Sequence, residues 1–533
     1  MHTTVDILPS LSEQTWGHAV LYGCGRFANM AETLVAQARR VPTRIAVCYG
    51  DRELSYAELD SESNQVARIL EKHLGVRPGS RVCYLLPNGI DQVVVYYAIQ
   101  KLGAIAVPVP YRFIPREIAF VLESCEANAL ICDDERGVDV DEAVEGGLRE
   151  LGGWLSTGVL MGLAALEDSS PIVIPHNLGL VSRIQYTGGS TGVPKGAKRT
   201  QFADLAECAS VLGSNGLGIR DDNVVLIQSP LEHHGGHSWL IATIAAGATL
   251  VLCGKFDPGV ILRAIEDKRV TYLLVLPPTS YIRLLSSPLA KQFDLTSVRL
   301  VQSAAGAMTR KAIDMMFEAF PNATINYGWG QSESGSGTSI AITRELLSNG
   351  RLLQSIGTPM PGLELKIVDD MGKEVPCGIP GEAMVRCPAV MSGYWGQPAL
   401  TDAMFEKGWL RTGDIMVQDQ DGYYYLVSRK KNVIKSGGEN VFAAEVERAI
   451  LSCPGVRDCV VYGVADPVMG EAVAATVECE PNVVLTGKQV QEWCRGLLAS
   501  YKKPRYIAFV DQLSRNDAGK ITHVPSGSAL PVE

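Results

Sequence analysis

The sequence predicts an α/β protein: a large N-terminal region of βαβ-type sheets with a β-rich subdomain, followed by a small α+β C-terminal domain. Three observations carry this reading. Between about residues 43 and 132, short apolar runs alternate with stretches of helical periodicity. From Gly357 to Tyr425 the texture changes to short β-like pieces broken by Gly, Pro and Asp. After Lys431 a helix, two strands, a helix and a strand follow in a unit of about 100 residues, an ordinary domain size.

Taken in order, RIAVCYG and RVCYLLP are strand-like, and SYAELDSESNQVARILEKHL between them has apolar residues at helical spacing. Ser55 caps that helix, with Glu58 three residues on completing a capping box. DQVVVYYAIQKLG reads as a helix, and AIAVPVP and ALICDD as strands. Strands separated by helices imply a parallel sheet covered on both faces. The pattern returns at ATLVLCG, VTYLLVLPP and VRLVQSAAG, whereas 133–170 reads as helix and loop. The C-terminal unit is expected as helix AAEVERAILSC, strands CVVYGVA and AVAATVEC, helix GKQVQEWCRGLLAS and strand YIAFV. The polar cluster SRKKN sets the boundary, giving an N-terminal domain over 1–429 and a C-terminal domain over 430–533.

Composition narrows the function classes. The 533 residues carry 48 Lys+Arg against 58 Asp+Glu, a net charge of −10, with 46% hydrophobic and 20% charged residues. That acidic balance argues against a dedicated nucleic-acid binder, which shows a basic patch or stripe. Thirteen cysteines without a C-x-x-C pair point to reduced thiols and a cytoplasmic location. MHTTVDILPSLSEQ has neither the basic start nor the apolar core of a signal peptide. The longest uncharged stretch, around Ser238 to Gly254, falls short of the roughly 20 apolar residues of a membrane span.

The strongest chemical signal is YTGGSTGVPKG, Tyr186 to Gly196. Four Gly and three Ser or Thr ending on Lys195 can present N–H groups, hydroxyls and a cation to a phosphate. The G-x-x-x-x-G-K-[ST] spacing cannot be laid on it, so it is not a Walker A loop. A second motif is WGQSE, Trp329 to Glu333, which alone would be a core aromatic beside a solvated acid. Further motifs are GYWGQPALTDAMFEKGWLRTGDI, SRKKN, KSGGENVFAAEVE, SRNDAGKIT and PLEHHGGHSW. In the last, His233, His234 and His237 lie close enough to suggest zinc, but no HExxH pattern and no cysteine stands nearby.

These motifs, in this order, resemble those of the adenylate-forming superfamily: acyl-CoA ligases, stand-alone adenylation domains and beetle luciferases. YTGGSTGVPKG is similar to its YTSGTTGxPKG signature, and the resemblance runs from LSYAELDSESNQVARIL to DAGKI. It implies that Thr187, Gly188, Gly189, Ser190, Thr191, Gly192 and Lys195 meet the ATP phosphates. Trp329 then lies against adenine, with Tyr327 a rival for that place, Ser332 meets the α-phosphate region and Glu333 holds Mg²⁺. Asp414 and Arg429 would bind ribose, although Ser428 and Asn432 replace the Gly and Asp usual beside that arginine. Lys431 falls at the hinge position. Lys435, Gly437 and Gly438 belong to the segment that lines the pantetheine tunnel in the thioester step, with Ala443 where the family has Pro. Lys520 matches the adenylation lysine, with Ser514 for the usual Pro and His523 for the frequent Arg.

The resemblance places His233, Gly236, Ala305, Gly306, Gly330 and Gly337 around the acyl pocket. Small residues there, with Gly235, Ala304, Ala307, Gly335 and Ser336 beside them, imply a bulky aromatic or polycyclic acid rather than a short one. Glu232 is displaced by one from the place where amino-acid-activating relatives carry Asp, which disfavours an amino acid. The implied activity is ATP-dependent activation of a small-molecule carboxylic acid to an acyl-adenylate, then transfer to CoA. The implied cofactors are ATP, Mg²⁺ and CoA, in a monomer or homodimer. The alternatives are a stand-alone enzyme loading an acyl carrier protein and a catalytically silent ligand-binding relative.

Overall fold

The computed structural model describes residues 27–145, 151–187, 194–213, 218–306, 308–346, 350, 352–436, 439–466, 470–515 and 521. The chain divides into two compact units. The first comprises Met1–Leu365 with Val385–Leu410, and the second Lys366–Met384 with Arg411–Glu533.

Two large sheets build the first unit. In one, strands run in the order Trp154–Ser156, Ala129–Cys132, Arg81–Leu85, Ile105–Pro108, Val181–Thr187 and Lys195–Thr200. The pairings are parallel until the last, where Val181–Thr187 and Lys195–Thr200 form an antiparallel hairpin. The other sheet has nine strands. Its parallel centre joins Thr324–Gln331, Leu300–Ser303, Tyr272–Leu274, Val224–Ile227, Thr249–Leu252 and Ile45–Tyr49, and antiparallel strands flank it on both sides.

The sequence explains both sheets. In Arg81–Leu85, Val82 and Tyr84 enter the core shared with the second sheet, while Cys83 and Leu85 enter a separate cluster with Ile118, Val121 and Leu122. Burial on both faces is why the strand reads as a continuous apolar run. The helix Ile90–Lys101 is buried on every side, even at Lys101, whose ammonium donates to Asp60 Oδ1 at 2.5 Å and to Asn64 Oδ1 at 2.7 Å. Helix Tyr56–Leu74 starts as read: Ser55 Oγ accepts from the Glu58 N–H, and Glu58 returns to the Ser55 N–H at 2.7 Å.

The 133–170 stretch holds more than helix and loop. Trp154–Ser156 is the edge strand of the six-stranded sheet, and helix Thr157–Ala164 follows it. Three residues are too few to show a period of two, so only pairing with Leu130–Cys132 reveals the strand.

In the second unit, strands Trp409–Gln418 and Tyr424–Arg429 form an antiparallel hairpin. Beyond it a sheet of Val433–Ser436, Glu439–Phe442, Val456–Asp466, Gly470–Cys479 and Tyr506–Val510 packs against helices Ala443–Leu451 and Gly487–Arg495. This is the helix and strand order read from the sequence, with one further short hairpin in front of it.

Glu447, in the first of those helices, accepts a 3.0 Å hydrogen bond from the Val461 N–H. Burial, with Asp458 adding like charge, pushes its carboxyl up to about 7. The folded value lies above the unfolded one, so the proton is held more tightly in the fold. Its stabilising effect is complete below the ordinary carboxylate range and is lost as pH rises through about 7. We expect stability of the second unit to fall from pH 5 to pH 7.5, by at most about 1.4 kcal/mol per pH unit from this group. Glu447→Gln should flatten the thermal midpoint over that range.

Candidate active site

The hairpin that carries the Gly- and Ser-rich loop sets the geometry. Its register places Thr187 opposite Lys195, so both stand at the loop end of the two strands. Gly188, Gly189, Ser190, Thr191 and Gly192 lie outside the described residues. Segment 392–395 runs along the outer strand. Ser392 N–H donates to Lys198 O at 2.9 Å, Lys198 N–H to Gly393 O at 2.8 Å, and Trp395 N–H to Gly196 O at 2.8 Å. These bonds place Tyr394 at the hairpin's loop end.

Glu333 meets them there. It sits in the turn between strands Thr324–Gln331 and Gly335–Ile342, and its main-chain carbonyl accepts from the Met391 N–H at 2.8 Å. Its Oε1 accepts from the Tyr394 hydroxyl at 3.0 Å and lies 3.5 Å from Thr187 Oγ1. Lys195 Nζ stands 5.7 Å from the centroid of the Tyr394 ring. Thus a hydroxyl, a cation, a phenol and a carboxylate converge from three distant stretches of sequence. Tyr394 escaped the sequence reading because it lies inside a segment read as a whole for Asp414.

This donor set suits a phosphate that arrives with a divalent cation. Glu333 Oε2 has no hydrogen-bond partner among the described residues, leaving a hard oxygen for Mg²⁺. Also among the described residues, no group of three or more His, Cys, Asp or Glu could hold a metal. A single carboxylate is what Mg²⁺ requires when phosphates and water complete its shell.

The aromatic and acyl-side residues lie in the same unit. Trp329 is buried, and a Cβ added at Gly337 would lie 2.4 Å from its six-membered ring. Tyr327 donates its hydroxyl to Gly306 O at 2.7 Å, which engages its polar end. His233 is the N-cap residue of helix His234–Ala246. Ala305 adopts φ 62°, a left-handed conformation unusual for a residue with a side chain, and it and Gly306 are exposed.

Several of the glycines have a packing cause. A Cβ at Gly236 would stand 2.3 Å from Pro230 O, and one at Gly330 2.8 Å from Gly335 O. With Gly337 under Trp329, three positions expected to leave open volume have that volume filled by protein. Their smallness by itself therefore does not measure the acid.

Nor do the three histidines converge on a metal. His234 Nε2 lies 2.9 Å from Glu207 Oε1 and its Nδ1 3.3 Å from Arg183 Nη2. Burial lowers its pKa, so the ring is neutral, donating from Nε2 and accepting at Nδ1. His237 packs edge-on against Tyr96, and burial drives its pKa well below the usual range.

Beneath the hairpin lies a charged cluster that the sequence reading missed. Arg183, Arg199, Asp204 and Glu207 have no exposed surface. Asp204 Oδ1 accepts from Arg183 Nη2 at 3.0 Å and from Arg199 Nε at 2.6 Å, and Glu207 Oε2 accepts from Arg199 Nη2 at 2.6 Å. His234, bonded to both Glu207 and Arg183, closes the ring. Burial works against both acids' charges. Against it, the Arg183 and Arg199 guanidiniums hold Asp204 far below the carboxylate range, and the hydrogen bond from His234 with the Arg199 guanidinium holds Glu207 below it too. The available signal was Asp204 and Glu207 three apart on the inward face of QFADLAEC, a charged pair where apolar residues belong.

In the second unit, Asp414 stands opposite Arg429 on paired strands. Its buried carboxylate lies 2.6 Å from Arg429 Nε, and the arginine is 46% exposed, which leaves its outer face open to a ligand. The side chains of Lys431 and Lys435 are not among those described, and Gly437, Gly438 and Lys520 lie outside the described residues.

A phosphate-loop hairpin closing beside a carboxylate, with a separate α+β unit at the C-terminus, defines the adenylate-forming ligases. The chain belongs to the AMP-binding enzyme family: the AMP-binding enzyme match covers residues 34–395 and the AMP-binding enzyme C-terminal domain residues 445–520. Within that superfamily it is of the acyl-CoA ligase type, AMP-forming and ATP-dependent. It is 33% identical to a feruloyl-CoA synthase of Amycolatopsis sp, over 91% of this chain and 96% of the relative. Identity to the fatty acid–[acyl-carrier-protein] ligase ScoC of Streptomyces coeruleorubidus is 30%, over 92% and 94%. The crystal structure of the anthranilate CoA ligase AuaEII with anthranoyl-AMP superposes with a TM-score of 0.84 at 29% identity, covering 93% and 96%.

The Tyr394 hydroxyl is a neutral donor to a charged acceptor, a bond worth about 1.5–3 kcal/mol. Tyr394→Phe should lower ATP–pyrophosphate exchange roughly 10- to 100-fold. Tyr394→Leu, which also removes the ring beside Lys195, should cost more.

Proposed function

We propose that this chain activates a bulky aromatic or polycyclic carboxylic acid as its adenylate and transfers the acyl group to CoA. The observation that carries this is the convergence of Thr187, Lys195, Glu333 and Tyr394 at the loop end of the phosphate-loop hairpin.

A carboxylate is a poor electrophile because its leaving group would be oxide. In the first half-reaction an oxygen of the acid attacks the α-phosphorus of ATP, and the bond to the bridging oxygen breaks to release pyrophosphate. Positioning and charge neutralisation dominate such chemistry. Lys195 supplies positive charge to the phosphates, and Thr187 and Ser332 offer hydroxyls to them. Glu333, oriented by Tyr394, would hold Mg²⁺, which when bound neutralises phosphate charge. Lys520 bridges the acid and the α-phosphate, Trp329 lies against adenine, and Asp414 with Arg429 takes the ribose.

In the second half-reaction the CoA sulfur attacks the carbonyl carbon, the thiol proton is lost, and AMP leaves. A C-terminal domain over 430–533 turning about Lys431 would exchange Lys520 for the Lys435–Gly438 segment between the two steps. His233, Gly236, Ala305, Gly306, Gly330 and Gly337 surround the acyl group. The aromatic acids in the names of the feruloyl and anthranilate relatives support the acid class. A carrier-protein acceptor is the second reading, favoured by the likeness to ScoC. Among the described residues no helix is long and apolar enough to cross a membrane, and the described cysteines are free thiols, which supports work in the cytoplasm.

Pyrophosphate exchange over acids of graded size, followed by thioester detection with CoA and with carrier protein, tests this reading. Aromatic acids should lead in kcat/KM, and CoA should be the better acceptor; acetate or propionate winning would overturn the acid class. Lys520→Ala should lower adenylate formation by about 100-fold or more. It should leave transfer from a supplied acyl-adenylate nearly intact, and parallel loss of both steps would contradict the exchange of lysines.

A further inference from the structure

The buried ring of charges reaches beyond itself at several points, two of them at the ends of the turn that presents Glu333. Arg199 Nη1 donates to the main-chain carbonyl of Ser332 at 3.3 Å. Glu207 Oε1, already bonded to His234, accepts the Ser336 N–H at 3.1 Å and the Ser336 hydroxyl at 3.0 Å. One anchor precedes Glu333 by a single residue and the other follows it by three. The approach is close: a Cβ at Gly335, where φ is +74°, would come within 3.4 Å of the Glu207 carboxylate. The same carboxylate is tied through Arg199 to the strand that begins at Lys195, and through His234 to the helix start beside His233.

We propose that Glu207 is a positioning residue for adenylate formation: acting with Arg199, it holds the 332–336 turn so that the Glu333 carboxylate is set beside Thr187 and Lys195. The proposal rests on the reading of Glu333 as the Mg²⁺ ligand. Glu207 is buried and touches no substrate. It acts on the ends of the turn, and four donors saturate its oxygens, so the turn cannot shift without leaving a buried charge short of partners. A core packing role alone would be filled more cheaply by apolar residues; four charges closed into a ring specify one arrangement of two strands, two helices and a turn.

Glu207→Asp tests this, because it keeps the charge beside Arg199 but shortens the side chain by one methylene, withdrawing it from Ser336. Ser336→Ala is the milder companion, deleting one hydroxyl donor. Calorimetric titration of the 533-residue chain with α,β-methylene ATP, with and without Mg²⁺, reads the metal-dependent gain in affinity apart from turnover. We expect Glu207→Asp to reduce that gain about tenfold, the lower end of the range seen when groups that orient a metal ligand are changed, and Ser336→Ala, which keeps the main-chain donor, about threefold. Metal-free binding should hold within about twofold in each. Pyrophosphate exchange should fall with the gain, while transfer from supplied acyl-adenylate to CoA stays near the parent rate.

An unchanged Mg²⁺-dependent gain in folded Glu207→Asp, or parallel loss of both half-reactions, would overturn the proposal. Should Glu207→Asp fail to fold, an unchanged gain in Ser336→Ala would do the same. Glu333→Gln separates the two readings. If it leaves the gain intact, the metal reading fails and the proposal with it. If it abolishes the gain while Glu207→Asp does not move it, the positioning alone fails.

Discussion

Two arginines, an aspartate and a glutamate without access to water must balance one another, and much of the first unit is arranged so that they do. Arg183 and Arg199 lie on the two strands of the phosphate-loop hairpin, Asp204 and Glu207 on the helix that follows it, and neutral His234 on the first residue of another helix. Removing four charges from water is expensive, and only near-complete pairing recovers the cost. Removing one partner from such a set commonly costs about 3–5 kcal/mol. In return, the cluster ties together the hairpin that carries the Gly- and Ser-rich loop, the turn that carries Glu333, and the helix start beside His233.

That arrangement suits chemistry in which charge is handled before bonds change. Activating a carboxylate with ATP brings two anions together, so the cations and hard ligands must be in place beforehand. Thr187, Lys195, Glu333 and Tyr394 form such a set within the first unit. Asp414 and Arg429 form a second within the second unit, where the pairing of two strands fixes the carboxylate and leaves the guanidinium partly in solvent. Lys520 and the Lys435–Gly438 segment belong to neither set, and the two-step reading proposed above brings them in through a movable C-terminal domain.

The legible parts of this protein were local. Ser55 and Glu58 announce the start of a helix because a capping box spans four residues. The strand YIAFV is found where it was read, at Tyr506–Val510. The Gly- and Ser-rich loop, WGQSE and AGKI speak for nucleotide chemistry because their residue types and spacing are contiguous. Trp154–Ser156 was not legible, being too short to show a period, nor was Tyr394, which is covered by a motif whose other end belongs to the second unit. The small residues near the acyl side have a packing cause that the sequence does not display. Glycine at 236, 330 and 337 reads as open space, but the Pro230 carbonyl, the Gly335 carbonyl and the Trp329 ring already occupy it.

By itself, the sequence determined the fold class, most of the order of elements, the superfamily and most of the residues proposed to touch ATP, because each depends on neighbours a few positions apart. Only the tertiary structure decided which of those residues meet: Thr187 and Tyr394 with Glu333, Asp414 with Arg429, and Glu207 with both His234 and Ser336. Glu207 is 27 residues from His234 and 129 from Ser336. At such separations a one-dimensional pattern carries no distance, and a charge that would be solvated on a surface helix becomes a fixed anchor once two sheets close over it.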